Sequence, residues 1–269
     1  MLNRCNAIEQ VKEIENYIGN EYHKCIYLYL DLKKYGIFND NIKIWIQYNE
    51  NSEITAVLLK YYTGLHIFSK EHNYNVEELK NLILQEKPTM ICGEKIIISI
   101  LYNSFENSKY CIETGWVRKL SEIENFDRDD VELASEEDFS GIAKLLYEDE
   151  DLGSSYKYDE LRQQMIERNK EGFVRNYVIK DSNQAVISHA GTGAENDKVA
   201  MLSYVITAPN HRGKGYAKKL CCAVCEDLIN EGKEVFLINY SKESTALYDK
   251  IGFKICAEWG KMFLNLKEN

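Results

Sequence analysis

Apolar residues recur along this chain in two rhythms, one helical and one extended, and the switches between them lay out its elements. Ile8, Val11, Ile14 and Ile18, then Cys25, Leu28 and Leu32, fall at helical spacing and predict two helices within 6–35, broken near Gly19-Asn20. From Ile42 the period becomes two. Ile42, Ile44 and Ile46 alternate with polar or amphipathic residues, Asn49-Glu50-Asn51 supplies a turn, and Ile54 to Leu59 reads as the second arm of a hairpin. Leu65 to Phe68 adds a third strand. Val76, Leu79, Leu82 and Ile83 share a helical face that ends before Pro88; Met90 to Cys92 reads as a strand, 94–105 as a helix and Tyr110 to Ile112 as a strand leading out.

The polar, acidic stretch 121–130 (SEIENFDRDD) reads as a linker and sets one domain at 1–127 and another at 128–269. The second begins with a strand at Val131 to Ala134 and a helix through Tyr147, capped by Ser135 with Asp138 in the capping-box position. An acidic patch (148–151), a Gly153-Ser154-Ser155 loop and a helix over 159–169 follow. Hairpin arms at 177–179 and 185–188 flank Asp181-Ser182-Asn183, and Asn196-Asp197 turns into a strand ending at Thr207. Next come a helix with Leu220, Val224 and Leu228 on one face, a strand over Val235 to Ile238, a helix over 243–250, and final strands over 253–266 with a turn near Gly260. Both halves read as α/β (α+β), and 269 residues suffice for two domains with real cores.

Charge narrows the function. Lys+Arg 33 against Asp+Glu 43 gives −10, which argues against a nucleic-acid partner, since that needs a basic face. No apolar run approaches membrane-spanning length and the first residues alternate in charge, so the expectation is a cytoplasmic protein without a membrane partner. Of the 8 cysteines only Cys221, Cys222 and Cys225 cluster. They have no second ligand pair nearby and read as core thiols rather than a metal site.

The stretch with chemistry in it is Met201 to Ala217 (MLSYVITAPNHRGKGYA). A buried strand stops at Ala208-Pro209, Arg212-Gly213-Lys214-Gly215 makes a glycine-rich turn, and a helix starts at Tyr216. That arrangement aims free backbone N–H groups and a positive helix end at an anion, and the two glycines leave room for a phosphate to approach. Arg212, Lys214 and Lys218 add positive charge. The alternative is a basic surface turn. The glycine spacing matches neither a P-loop nor a GxGxxG fingerprint, which disfavours nucleotide binding.

Arg212, Gly215 and Ala217 form an Arg-x-x-Gly-x-Ala run that resembles the acyl-CoA signature of the GCN5-related N-acetyltransferase (GNAT) superfamily. Ser244 to Tyr248 followed by Ile251-Gly252-Phe253 resembles that superfamily's later helix and its entry into the last strands. The resemblance covers the second half and implies a mixed, mostly antiparallel sheet flanked by helices. The element order of the first half suggests a degenerate GNAT-like relative, because Ser69 to Asn75 lacks the glycines and the arginine; an unrelated α/β domain is the alternative.

The resemblance implies acetyl-CoA as co-substrate, no metal, and a small-molecule or peptide amine as acceptor. Val205, Ile206 and Thr207 would offer main-chain groups to the pantetheine arm. Arg212, Gly213, Lys214, Gly215, Tyr216 and Ala217 would take the pyrophosphate, with Ser244 also in the cofactor set. Tyr248, a phenol protonated at neutral pH, is the candidate acid for the leaving thiolate, or else a packing residue. Many relatives carry a strand glutamate as base where this chain has Met201 and Ser203. His189 offers a base acting through water, or is a hydrogen-bonded strand histidine. The acidic patch attracts a cationic acceptor or is a solvated loop. Ser241 and Thr245 stand where relatives often have asparagines. The expectation is an acyl-CoA-dependent N-acyltransferase; the alternative is a non-catalytic acyl-CoA-binding or sensor protein.

Overall fold

A computed structural model describes residues 1–105, 110–123, 126–149 and 157–264. The Gly153-Ser154-Ser155 loop and the end of the acidic patch lie outside the described residues. The chain forms two compact units: unit 1 takes 1–118, 238–241 and 255–269, and unit 2 takes 119–237 and 242–254. These units do not follow the linear division expected at 127/128: 255–264 falls in the first unit and the described part of 119–127 in the second.

Unit 1 begins with β1 (Leu2–Arg4), α1 (Glu9–Ile18) and α2 (Ile26–Tyr35), the break between the helices holding a short 3-10 turn at Tyr22–Lys24. The period-two stretches form the antiparallel meander β2 (Ile42–Tyr48), β3 (Ile54–Tyr61) and β4 (Gly64–Phe68), with Trp45 opposite Leu58 and Leu58 opposite Ile67. Helix α3 (Val76–Glu86) then carries the chain over to β5 (Met90–Glu94), parallel to β4, and α4 (Lys95–Ser104) leads to β6 (Tyr110–Leu120), far longer than the expected three residues. Leu58, Leu65, Ile67, Leu79, Ile83, Ile91, Ile97, Ile98 and Leu101 form one buried core, each side chain contributing roughly 1.5–3 kcal/mol by leaving water.

The chain's last strand, β12 (Phe253–Leu264), lies antiparallel to β5 with Lys261 opposite Cys92, and its Met262 is buried in that same core. It is continuous, without the expected turn at Gly260. A Cβ on Gly260 would stand 2.8 Å from the Ile98 Cβ, so this glycine serves the close approach of α4 to the strand and not a reversal.

Unit 2 has β7 (Glu132–Leu133), a 3-10 turn closed by the Ser135–Asp138 capping box, α5 (Phe139–Tyr147) and α6 (Tyr158–Lys170). Strands β8 (Asn176–Lys180), β9 (Val186–Glu195) and β10 (Val199–Thr207) pair antiparallel, and β11 (Glu234–Asn239) runs parallel to β10 after the helix α7 (Tyr216–Asn230). Helix α8 (Lys242–Ile251) follows β11. Alternation splits the buried residues between the two faces of the sheet. Tyr177, Ile179, Ala200 and Leu202 pack with α7 and Ile251, whereas Val178 and Ile206 pack with α5 and α6. Cys221, Cys222 and Cys225 are buried in the α7 core. Arg128 ties α7 to the segment before β7 through Glu226 and a two-pronged pair with Asp227 at 2.7 and 2.6 Å.

Candidate functional site

The site in unit 2 is built from three local departures from regular structure. The first is a β-bulge in β10. Ser203 stands opposite Gly191 and Ile206 opposite His189, so Tyr204 and Val205 together face Ala190 alone. Tyr204 adopts φ 57, a left-handed conformation that costs a non-glycine residue about 1 kcal/mol. The extra residue shifts the alternation: Ala200 and Leu202 point to the α7 core, and after the bulge Val205 does so while Tyr204 joins Ile206 on the α5/α6 side.

The second departure is early loss of pairing. β10 and β11 are in parallel register over Val199 to Met201 and Glu234 to Phe236, while β10 continues to Thr207. The main chain of Leu202 to Thr207 thus runs on past its last registered partner in β11, with Val205 half-buried and Ile206 and Thr207 buried.

The third is the turn. Gly213 and Gly215 sit at φ 80 and 83, and a Cβ on either would meet nothing within 4 Å. Glycine is required there for backbone conformation, and the space beside it is open. Gly215 is the N-cap of α7, no side chain caps the helix, and its first turn holds no acid. The N–H groups of Tyr216, Ala217 and Lys218 precede the first intrahelical bond, from Lys219 N to Gly215 O, so they and the positive end of the helix dipole face the open side of the turn, an arrangement able to receive an anion. Arg212 braces the turn by donating from Nε to Thr207 O at 3.0 Å and pairs with Asp149 at 3.2 Å. Lys214 is exposed, while Lys219 is engaged with Asp127 at 2.9 Å.

Tyr248 lies on α8, half-buried against the α7 core, its ring edge-on to Phe253 with centroids 6.0 Å apart. Ser244 is half-buried on the same helix. His189 does not join them as a base. It is wholly buried, its Nδ1 lies 2.7 Å from Tyr204 O and its Nε2 3.0 Å from the Asn176 side chain, and burial lowers its pKa to about 4. A general base must reach the proton it removes, directly or through one water, and this ring has both nitrogens committed inside the sheet.

Sequence reading misses Tyr204, Asn176 and Ser188, whose hydroxyl donates to Ile206 O at 3.0 Å and pairs with Thr207 Oγ1 at 2.7 Å. The sequence carries one visible sign of them, polar Ser188 and His189 side by side in an apolar strand. On the α5/α6 side, Leu161, Met165, Arg168, Asn176, Thr192 and Tyr204 line a cleft next to the bulge.

Residues 138–253 match the model of the acetyltransferase (GNAT) family, and this part of the chain is a GNAT-family domain. No curated protein gives a significant match. Among solved structures, a GNAT-family acetyltransferase from Colwellia psychrerythraea is 13% identical with a TM-score of 0.61, over 98% of this chain and 99% of that one. A Drosophila protein is 12% identical with a TM-score of 0.69, over 98% of both chains. A tandem GNAT protein from the clavulanic acid biosynthesis pathway is 11% identical with a TM-score of 0.62, again over 98% of both. At these identities the likeness is one of fold, and it extends over the first half of the chain as well as the second. No helix among the described residues is long and apolar enough to cross a membrane.

Proposed function

We propose that unit 2 is an acyl-CoA-dependent N-acyltransferase that moves acetyl from acetyl-CoA to a primary amine of a small molecule or peptide. The observation that carries the reading is the uncapped, acid-free N-terminus of α7 behind two positive-φ glycines, next to a strand that outruns its partner. The turn at 212–217 would hold the pyrophosphate, and the main chain of Val205 to Thr207 the pantetheine arm.

In the reaction the amine nitrogen attacks the thioester carbonyl carbon and the C–S bond breaks. Tyr248 gives its phenolic proton to the departing thiolate, the amine's surplus proton leaves to solvent, and the tyrosinate takes a proton back from solvent to close the cycle. An alkylamine with pKa about 10.4 is neutral at pH 7 at a cost of about 5 kcal/mol, and no side chain of β10 is a carboxylate that would take this proton. That absence, with the burial of His189, favours a second reading in which unit 2 binds acyl-CoA as a sensor. Thiol release from acetyl-CoA measured over a panel of amines separates them. Amine-dependent release supports the enzyme; CoA binding without release for any amine supports the sensor.

A further inference from the structure

We infer that His189 is a positioning residue: by clamping the Tyr204 carbonyl it fixes the bulge that presents the β10 main chain to acyl-CoA. This rests on the acyl-CoA reading of unit 2. A bulge frees backbone groups from the ladder, and a carbonyl turned into the sheet needs a donor. Tyr204 is in the left-handed region at φ 57, and its oxygen lies 2.7 Å from His189 Nδ1. Only an Nδ1–H can donate to that oxygen, so the tautomer is set by the bulge. The neutral ring then has a bare Nε2 3.0 Å from the Asn176 Oδ1 position, so this tautomer requires the Asn176 amide to present its NH2 there and its oxygen to the Asn169 side chain at 3.3 Å, whose amide turns with it. Asn176 is itself buried on β8, so the clamp is anchored one strand further back.

Its neighbour completes the grip. Ser188 Oγ donates to Ile206 O at 3.0 Å and meets Thr207 Oγ1 at 2.7 Å. Two consecutive β9 side chains therefore hold the carbonyls of Tyr204 and Ile206. Successive strand carbonyls point to opposite edges, which leaves the Val205 carbonyl for the edge beyond the registered β11 pairs. The histidine is neither in solvent nor among the residues that would touch the cofactor; it acts through β10.

The test uses the full chain with CoA as the probe. His189→Leu fills the space without a donor, whereas His189→Asn places an amide NH2 where Nδ1–H stood. The expected result is CoA affinity weakened roughly tenfold in His189→Leu, the size of one lost buried hydrogen bond, and restored to within about threefold of wild type in His189→Asn. Long-range proton–nitrogen NMR of the wild-type ring should show the Nδ1–H tautomer. Equal affinity of the leucine variant and wild type, equal weakening of both variants, or an Nε2–H tautomer in wild type would overturn the clamp. If His189→Leu does not fold, the asparagine variant and the wild-type tautomer decide. Failure of wild type to bind CoA would refute the acyl-CoA reading instead, with the tautomer still judging the clamp.

Discussion

Two stretches of this chain run strand, connection, helix, strand in the same order, and they differ at the helix N-terminus. In unit 2 the connection carries Gly213 and Gly215 at positive φ and delivers α7 uncapped, without an acid in its first turn. In unit 1 the connection is Ser69 to Asn75, and α3 arrives already satisfied. The Asn75 side chain accepts from Glu78 N at 3.2 Å, Glu77 and Glu78 complement the helix dipole, and Gln47 Nε2 donates to both the Asn75 carbonyl and the Glu78 carboxylate. A phosphate arriving there would meet two carboxylates and a filled cap. The strands differ in the same sense. The β3–β4 ladder has no bulge, and β4 stays paired with β5 through Ile67 opposite Gly93, where a Cβ would stand 2.6 Å from Ile67 O. The lesson is that one topology can offer an anion site only by leaving local bonding unfinished at the helix N-terminus, and at α3 that bonding is complete.

The largest effect should come from Tyr248→Phe. Counted from the helix start, the buried Leu101 holds in α4 the place that Tyr248 holds in α8, so that position in unit 1 carries no phenol. Thiol release should fall roughly 10²–10⁴-fold with CoA affinity nearly unchanged, the range for a lost general acid. Wild-type turnover in this variant would return Tyr248 to a packing role.

A smaller effect concerns acid. His189 has a folded pKa of about 4 against roughly 6.5 in the unfolded chain. Below pH 6.5 the unfolded chain takes up a proton that the folded protein refuses, so stability drops as pH falls toward 4 and is unaffected by this group above pH 7. Between pH 7 and 5 the cost is about 2 kcal/mol. Urea melts should show His189→Asn losing about that much less than wild type over this interval; equal losses would mean the ring is accessible to protons.

The smallest change tests the finished helix. Asn75→Ala removes the α3 cap and should cost about 1 kcal/mol of stability while CoA affinity stays the same. A change in CoA affinity would place a ligand at unit 1 after all.

Much of this is legible from residue order. The helix over 76–86, the meander and the glycine turn declare themselves by period and by residues whose backbone demands are distinctive. Three features do not. The bulge at Tyr204 leaves no mark within β10 itself, since many non-glycine residues fill it at modest cost and the alternation it shifts is short on either side. His189 reads as a catalytic type because sequence shows a residue's chemistry and not its burial. The destination of β12 depends on pairing with β5, which lies far earlier in the chain, and apolar alternation states that a strand exists without naming its neighbour. Gly260 shows the same limit: turn and close approach both call for glycine.

The central claim, that unit 2 holds acyl-CoA and unit 1 does not, is tested most directly by calorimetric titration of the full chain with CoA, in wild type and in Gly215→Asp. An aspartate there puts a side chain and a negative charge into the open space at φ 83, where an L residue is also strained. The account predicts one CoA per chain in wild type and affinity reduced by roughly 10² or more in the variant, with only a modest loss of thermal stability. Two CoA per chain, or one site that survives Gly215→Asp in a folded protein, would contradict it.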